Sequence, residues 1–257
     1  MIEEMSGKKR SSLQFRILTA RKDKSRIQNL PYFNPMGRCY MWGSRRLIGC
    51  HDLLKSVVWP HYTRPRGSSE ISRGTRGSGM QRGKVVDTEL FLLYHKASIG
   101  VLNPYTSKIL KLLKKLKWTV LDTQRVVAHP YYRAGTAVDM VVRDKAGSTI
   151  FVEIKCGFHG VWETPVGNIT LGDMDDIPNS AKYHALIQAA YGMWLGSFVS
   201  PRPDKGAVVR VHDEGVSVHD VPEYLTKPST HATFESMCEF HCQPSKAWKK
   251  ANPTKTP

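Results

Sequence analysis

Two apolar segments constrain this chain most: residues 136–143 (TAVDMVVR) and 149–156 (TIFVEIKC), separated by Asp144-Lys145-Ala146-Gly147-Ser148. Alternating runs rich in β-branched residues, divided by a turn cluster, read as a β-hairpin. A turn centred on Ala146 sets Asp139 opposite Glu153, and directly opposed residues hold their Cβ atoms about 5 Å apart. Alternation brings Lys155 to the same face, with Ala137, Val141 and Phe151. The other face carries Val138, Met140 and Val142 against Ile150, Val152 and Ile154, and is wholly apolar. A slip of one residue would turn Asp139 into that core face.

Two carboxylates so close repel unless a positive charge lies between them. A hard divalent cation suits them, because Mg²⁺ binds through one or two carboxylates and keeps waters for chemistry. A neighbouring lysine can orient a water and offset charge on a pentavalent phosphorus. The parts suit metal-assisted hydrolysis of a phosphodiester. The plainer alternative is a solvated sheet face with a weak cross-strand ion pair. Against it, Glu153-x-Lys155 is the only acid-x-Lys triplet in the chain and ends its most apolar strand.

Charge points the same way. The formal net charge is +16, and residues 1–86 carry 18 Lys+Arg against 5 Asp+Glu. Such a segment is built to meet a polyanion, and nucleic acid is the commonest; a solvated basic tail is the alternative. Apolar residues at 40% exclude a disordered chain. No apolar run is long enough to span a membrane. The five cysteines are odd in number and irregularly spaced, and the N-terminus has no apolar signal core. Both favour an intracellular protein. Lys8-Lys9-Arg10 favours the nucleus, with mitochondrion and cytoplasm as alternatives.

Along the chain, residues 1–30 read as a basic flexible tail and 31–83 as a basic region rich in aromatics, then Arg and Gly. Within it a short helix is expected to end before Pro60 and dock on the main body. Residues 64–83 read as a mobile loop whose Arg64, Arg66, Arg73, Arg76 and Arg82 hold phosphates, or as a plain linker. The core spans 84–222. Its helices are predicted over 84–96, 105–117 and from a cap at Asn179 or Ser180 to about Leu195. Strands are predicted over 118–128, 136–143 and 149–156, with a second hairpin over 206–221. That order gives an α/β fold, a mixed sheet flanked by helices. Residues 223–257 form a C-terminal extension, where Cys238-x-x-His241-Cys242 reads as free thiols because no partner pair completes a zinc site. Asp173, Asp175 and Asp176 read as an exposed acidic loop.

The segments Gly135-Thr136-Ala137-Val138-Asp139 and Ile150–Gly157 resemble the PD-(D/E)xK nuclease signature. The Gly-Thr-x-x-Asp form and the glycine after the lysine are closest to the RecB-like and lambda-exonuclease-like branch. The similarity covers residues 83–221. It implies a restriction-endonuclease-like αβββαβ core, Mg²⁺ or Mn²⁺ as cofactor, and cleavage of DNA, most simply as an exonuclease of replication, recombination or repair. A structure- or site-specific endonuclease and an inactive DNA-binding relative are the alternatives. By resemblance, Asp139 and Glu153 hold metal, the Ile154 carbonyl adds a ligand, and Lys155 serves the attacking water.

The family also places a metal-binding acid on the helix before the first strand, here Glu89. A helical wheel sets it about 60–70° from the centre of the Val86, Leu90 and Leu93 stripe. The branch often has a histidine where Asp87 stands, and Asp87 can replace it. Gln188 and Tyr191 match a Gln and a Tyr that the branch carries near DNA and active site, and Lys182 and His184 are candidate DNA contacts.

Overall fold

The computed structural model describes residues 30–34, 39–59, 76–158 and 160–242. The Lys8-Lys9-Arg10 cluster, Arg64, Arg66 and Arg73 lie outside the described residues. Arg76 opens a helix, but its side chain lies outside them as well.

The chain is α/β, with a six-stranded mixed sheet between two helical layers. Strands β5 (Thr119–Ala128), β6 (Ala134–Arg143) and β7 (Thr149–Cys156) form an antiparallel run. Strand β10 (Lys205–His212) joins β7 in parallel, and β11 (Gly215–Asp220) closes a hairpin on β10. A parallel neighbour needs a crossover, and helix α4 (Ala181–Gly196) supplies it. These bounds follow the predicted ones closely, because each element has its own local signal. Ser180 caps α4, its Oγ accepting from the Tyr183 amide. Asn103 caps α3 (Pro104–Leu116), with Pro104 at the first helical position.

On one face, α2 (Arg76–Tyr94) and α3 bring Val86, Leu90, Ile109 and Leu113 onto Met140, Val142, Val152 and Ile154. On the other, α4 packs Leu186, Ala190 and Leu195 near Val141 and Phe151. That layer is backed by α1 (Cys50–Val57) and α5 (Pro228–His241). Helix α4 is buried almost all round, as an element between sheet and helices must be. A sheet covered on both faces explains why its central strands read as nearly continuous apolar runs.

Several expectations change. Helix α2 begins at Arg76, not at residue 84, so 76–83 is helix rather than mobile loop. Its glycines make that turn weak in propensity; a tertiary contact supports it, with the Arg82 guanidinium 5.5 Å from the Tyr105 ring centre. Helix α1 does stop just short of Pro60, and Leu53, Leu54 and Trp59 are buried in the main core. The residues before it form β1 (Pro31–Asn34), β2 (Cys39–Trp42) and β3 (Arg45–Arg46), an antiparallel sheet too short to show a period in sequence. Strand β4 (Ile48–Gly49) then pairs with the start of β6, so this region extends the central sheet. Gly135 permits that junction, since a Cβ there would meet the Leu47 side chain at 2.6 Å. The acidic loop is a small hairpin, β8 (Asn168–Leu171) with β9 (Met174–Pro178), tied by Thr170 Oγ1 donating to Asp175 at 3.0 Å. Helix α5 belongs to the core rather than to an appendage, with Phe234, Met237 and Cys238 buried. Among the described residues no helix is long and apolar enough to cross a membrane.

Candidate active site

The β6–β7 ladder has the register the turn predicted, running from Arg143 opposite Thr149 to Met140 opposite Val152. It stops there, one pair short of Asp139 and Glu153. Further back, the first residues of β6 pair with β4 instead. Strand β5 takes the other edge of β6 throughout, so the edge from Thr136 to Asp139 faces a fork between β7 and β4. Alternation also breaks at this point. Val138 packs in the α4 layer and Met140 in the α2 layer, which corrects the expectation that both share one apolar face. Across β6, Gln124 adopts φ +52, and the Gln124–Asp139 pair is missing from a ladder that also shifts register between Val120 and Asp122. A non-glycine residue in that region is uncommon and clusters at functional sites.

Side chains fill the fork. Asp139 Oδ2 accepts the Ile154 amide at 2.7 Å, standing in for the lost ladder bond, and Oδ1 accepts from Gln124 Nε2 at 3.3 Å. Lys155 Nζ donates to Glu153 Oε1 at 2.6 Å and to Gln188 Oε1 at 2.9 Å. Glu153 is only 7% exposed. Beside it a cavity of about 10 Å³, bounded by Thr136, Ala137, Gln188 and Gly192, has roughly the size of one water.

Electrostatics bind two more residues to the group. Burial, then the Glu153 charge, pushes the Asp87 carboxyl up to about 7, against the pull of Lys155. Burial also holds Asp139 well above the usual carboxylate range, with Glu153 and Asp87 adding repulsion and Lys155 and the Ile154 amide opposing. Burial disfavours the charge on Lys155, yet Glu153 and Asp139 outweigh it and its pKa is raised. The ammonium is therefore retained. Tyr40 on β2 is pushed up to about 12 by burial, with Asp139 and Glu153 contributing. Residues from α2, β2, β6, β7 and α4 thus meet at one fork, with three carboxylates around a single lysine.

The structure brings together Asp139, Glu153, Lys155 and Gln188 from the predicted set. It does not bring Glu89. Both Glu89 carboxylate oxygens accept the Asn103 amide, at 3.2 and 3.0 Å, tying α2 to the start of α3. The helix-borne acid at the fork is Asp87, two residues earlier. Ile154 lends its amide to Asp139 while its side chain packs under α2 and α3. Arg82 stacks on Tyr105 and comes within 3.6 Å of where a Gly157 Cβ would stand, which keeps a guanidinium near the end of β7.

Tyr191 is no surface contact: it is fully buried, its hydroxyl 3.2 Å from Cys238 Sγ and its ring 5.2 Å from that of Phe234. Lys182 pairs with Glu163 at 2.7 Å. His184 stacks on Trp59 and bonds Asn179, and burial lowers it to about 4, so it is neutral and a poor phosphate contact. Cys238 and Cys242 are free and buried. Tyr40 and Gln124 were invisible in the sequence, since neither sits in a motif. The burst of aromatics over 31–42 was the only signal for Tyr40.

Among the described residues no three His, Cys, Asp or Glu side chains form a ready-made metal cage. The donor set nonetheless fits a hard divalent cation chemically. Its oxygens are carboxylates, their charge exceeds that of the single ammonium, and burial and mutual repulsion raise both Asp87 and Asp139.

No protein-family profile matches the chain. No curated protein matches it either. Among solved structures, that of SSO0001 is similar over 82% of this chain and 85% of that one, at 13% identity and a TM-score of 0.38. A likeness at that level carries no argument.

Proposed function

We propose that this chain is a divalent-metal-dependent nuclease that hydrolyses phosphodiester bonds in DNA, most simply as an exonuclease, on a PD-(D/E)xK core of the restriction-endonuclease-like αβββαβ kind. One observation carries the reading: Lys155 is clasped by Glu153 and Gln188 at the point where Asp139 replaces the β6–β7 ladder. A solvated sheet face does not interrupt its own ladder to gather buried carboxylates. The excess of positive charge supports a polyanionic substrate.

Asp139, Glu153 and Asp87 are the residues that would hold Mg²⁺ or Mn²⁺, which when bound offsets their charge and lowers the pKa of a water to make it nucleophilic. Gln188 and Glu153 fix the Lys155 ammonium in direction. Its retained proton places a full positive charge where negative charge grows on the phosphorus oxygens. Gln124 and the Ile154 amide orient Asp139 from two sides.

The test uses end-labelled linear DNA beside a closed circle, with Mg²⁺ or Mn²⁺ and with EDTA. Metal-dependent release of short products from the linear DNA alone marks an exonuclease; nicking of the circle marks an endonuclease. Asp139→Asn, Glu153→Gln and Lys155→Ala should each cut at least about 100-fold more slowly, while binding in EDTA persists. Unchanged cutting in these variants, or none by the wild type with either metal, refutes the proposal.

A further inference from the structure

A second concavity lies away from the fork, at the start of β6. It is a cleft of about 360 Å³ whose walls include Trp42, Arg45, His129, Tyr131, Tyr132 and Arg133. Two pre-shaped elements form it. The β2–β3 hairpin turns through Gly43, with φ +58, where glycine carries no steric penalty. That turn sets Trp42 directly opposite Arg45, so an indole and a guanidinium share one face. Opposite it, the 129–133 turn is organised by a buried imidazole. His129 Nδ1 accepts the amides of Tyr131 and Tyr132, both at 3.1 Å. Burial lowers His129 to about 4, so the ring keeps the unprotonated nitrogen those bonds need. Arg133 Nε donates to the Arg46 carbonyl at 3.2 Å, linking the two elements.

The chemistry of the lining is specific. Tyr131 is 42% exposed and Arg45 is exposed. Among the described residues no carboxylate lines the cleft. Glu235 and Glu239 act on Tyr132, but two guanidiniums remain in the walls. Aromatic rings beside arginines hold unpaired bases and their phosphates, whatever the sequence. The volume is at the low end of small-ligand pockets, about 300–1,000 Å³, enough for a nucleotide or two but not a duplex. Ala134, next to Arg133, lies five residues before Asp139 on β6, which at about 3.3 Å each is roughly 17 Å. That corresponds to about five stacked nucleotides.

We infer that this cleft is a docking site for single-stranded nucleic acid, with a base stacked on Tyr131 and phosphates on Arg45 and Arg133, about five nucleotides from Asp139. The spacing to Asp139 bears only on the nuclease reading; the docking site stands without it. The test is fluorescence anisotropy with a labelled twelve-residue oligo(dT), its oligo(rU) counterpart and a blunt duplex, in EDTA so that nothing is cut. Tyr131→Ala should weaken oligo(dT) about tenfold, and Tyr131→Phe should restore it. Arg45→Glu should weaken it further and lower the salt slope by about one. Duplex affinity should change less than threefold, and an equal loss for oligo(rU) supports a site that reads unpaired bases rather than sugar. Unchanged oligo(dT) affinity in Tyr131→Ala and Arg45→Glu, with wild-type thermal midpoints, overturns the inference even if the protein cuts DNA. Loss of oligo(dT) binding in these variants upholds the docking site even if the wild type cuts nothing.

Discussion

Replacing Asp87 by asparagine should stabilise this protein and disable it. Asp87 has no hydrogen bond or ion pair among the described residues, and its carboxyl is pushed from 3.8 to about 7, first by burial and then by Glu153. At 1.36 kcal/mol per pKa unit, keeping it ionised in the fold costs about 4 kcal/mol, a large share of a typical folding free energy. The folded pKa is raised, so the penalty is absent below about pH 4, grows from pH 4 to 7 and is complete above 7. Asparagine is nearly isosteric and carries no charge. In EDTA at pH 8 the variant should gain about 4 kcal/mol in urea unfolding and about 10 °C in thermal midpoint. At pH 4 the two proteins should coincide. Mn²⁺ should raise the wild-type midpoint at pH 8 and raise that of the variant less, because a cation and the substitution relieve the same repulsion. DNA cleavage should fall at least about 100-fold. An unchanged or lower midpoint at pH 8 would refute the crowding of charge inferred at the fork.

Three further outcomes are expected. Glu89→Gln should cut DNA within about twofold of wild type while losing about 1 kcal/mol in urea melts, because Glu89 only ties α2 to the Asn103 amide; a loss comparable with Asp139→Asn would return Glu89 to the site. Gly196→Ala should destabilise by about 1–3 kcal/mol despite better helix propensity, since its Cβ would fall 2.3 Å from the Phe151 ring; a stabilised variant would show that α4 and β7 separate easily. His129 should titrate near pH 4 by NMR. Its depressed pKa gives stability that is complete above about pH 6.5 and lost as pH falls toward 4, up to about 3 kcal/mol. A midpoint near 6.5 would remove the imidazole as organiser of the 129–133 turn.

Much of the scaffold was legible because its signals are local. The apolar runs of β6 and β7, the Asp144–Ser148 turn, the Ser180 cap and the lysine-faced stripe of α3 each fix an element within a dozen residues, and the turn alone set the register that puts Asp139 level with Glu153. Lys155 and Gln188 followed from strand parity and from resemblance. The break in alternation at Asp139 was not legible, because it arises where β4 and β7 compete for one edge of β6 and β5 distorts at Gln124. The exchange of Glu89 for Asp87 was also tertiary. They flank the apolar stripe of the same helix on opposite edges, about 200° apart, and the wheel does not say which edge meets the fork. Asn103 claims one carboxylate and the fork takes the other. Tyr191 shares a helix with Gln188, but α5 covers it. Sequence alone determined which residues could form strands, helices and a carboxylate-bearing hairpin, since those depend on neighbours along the chain. Only the packing of α2, α4 and β4 around the hairpin decided which charges are buried together, because burial and repulsion act between residues the chain brings close from far apart.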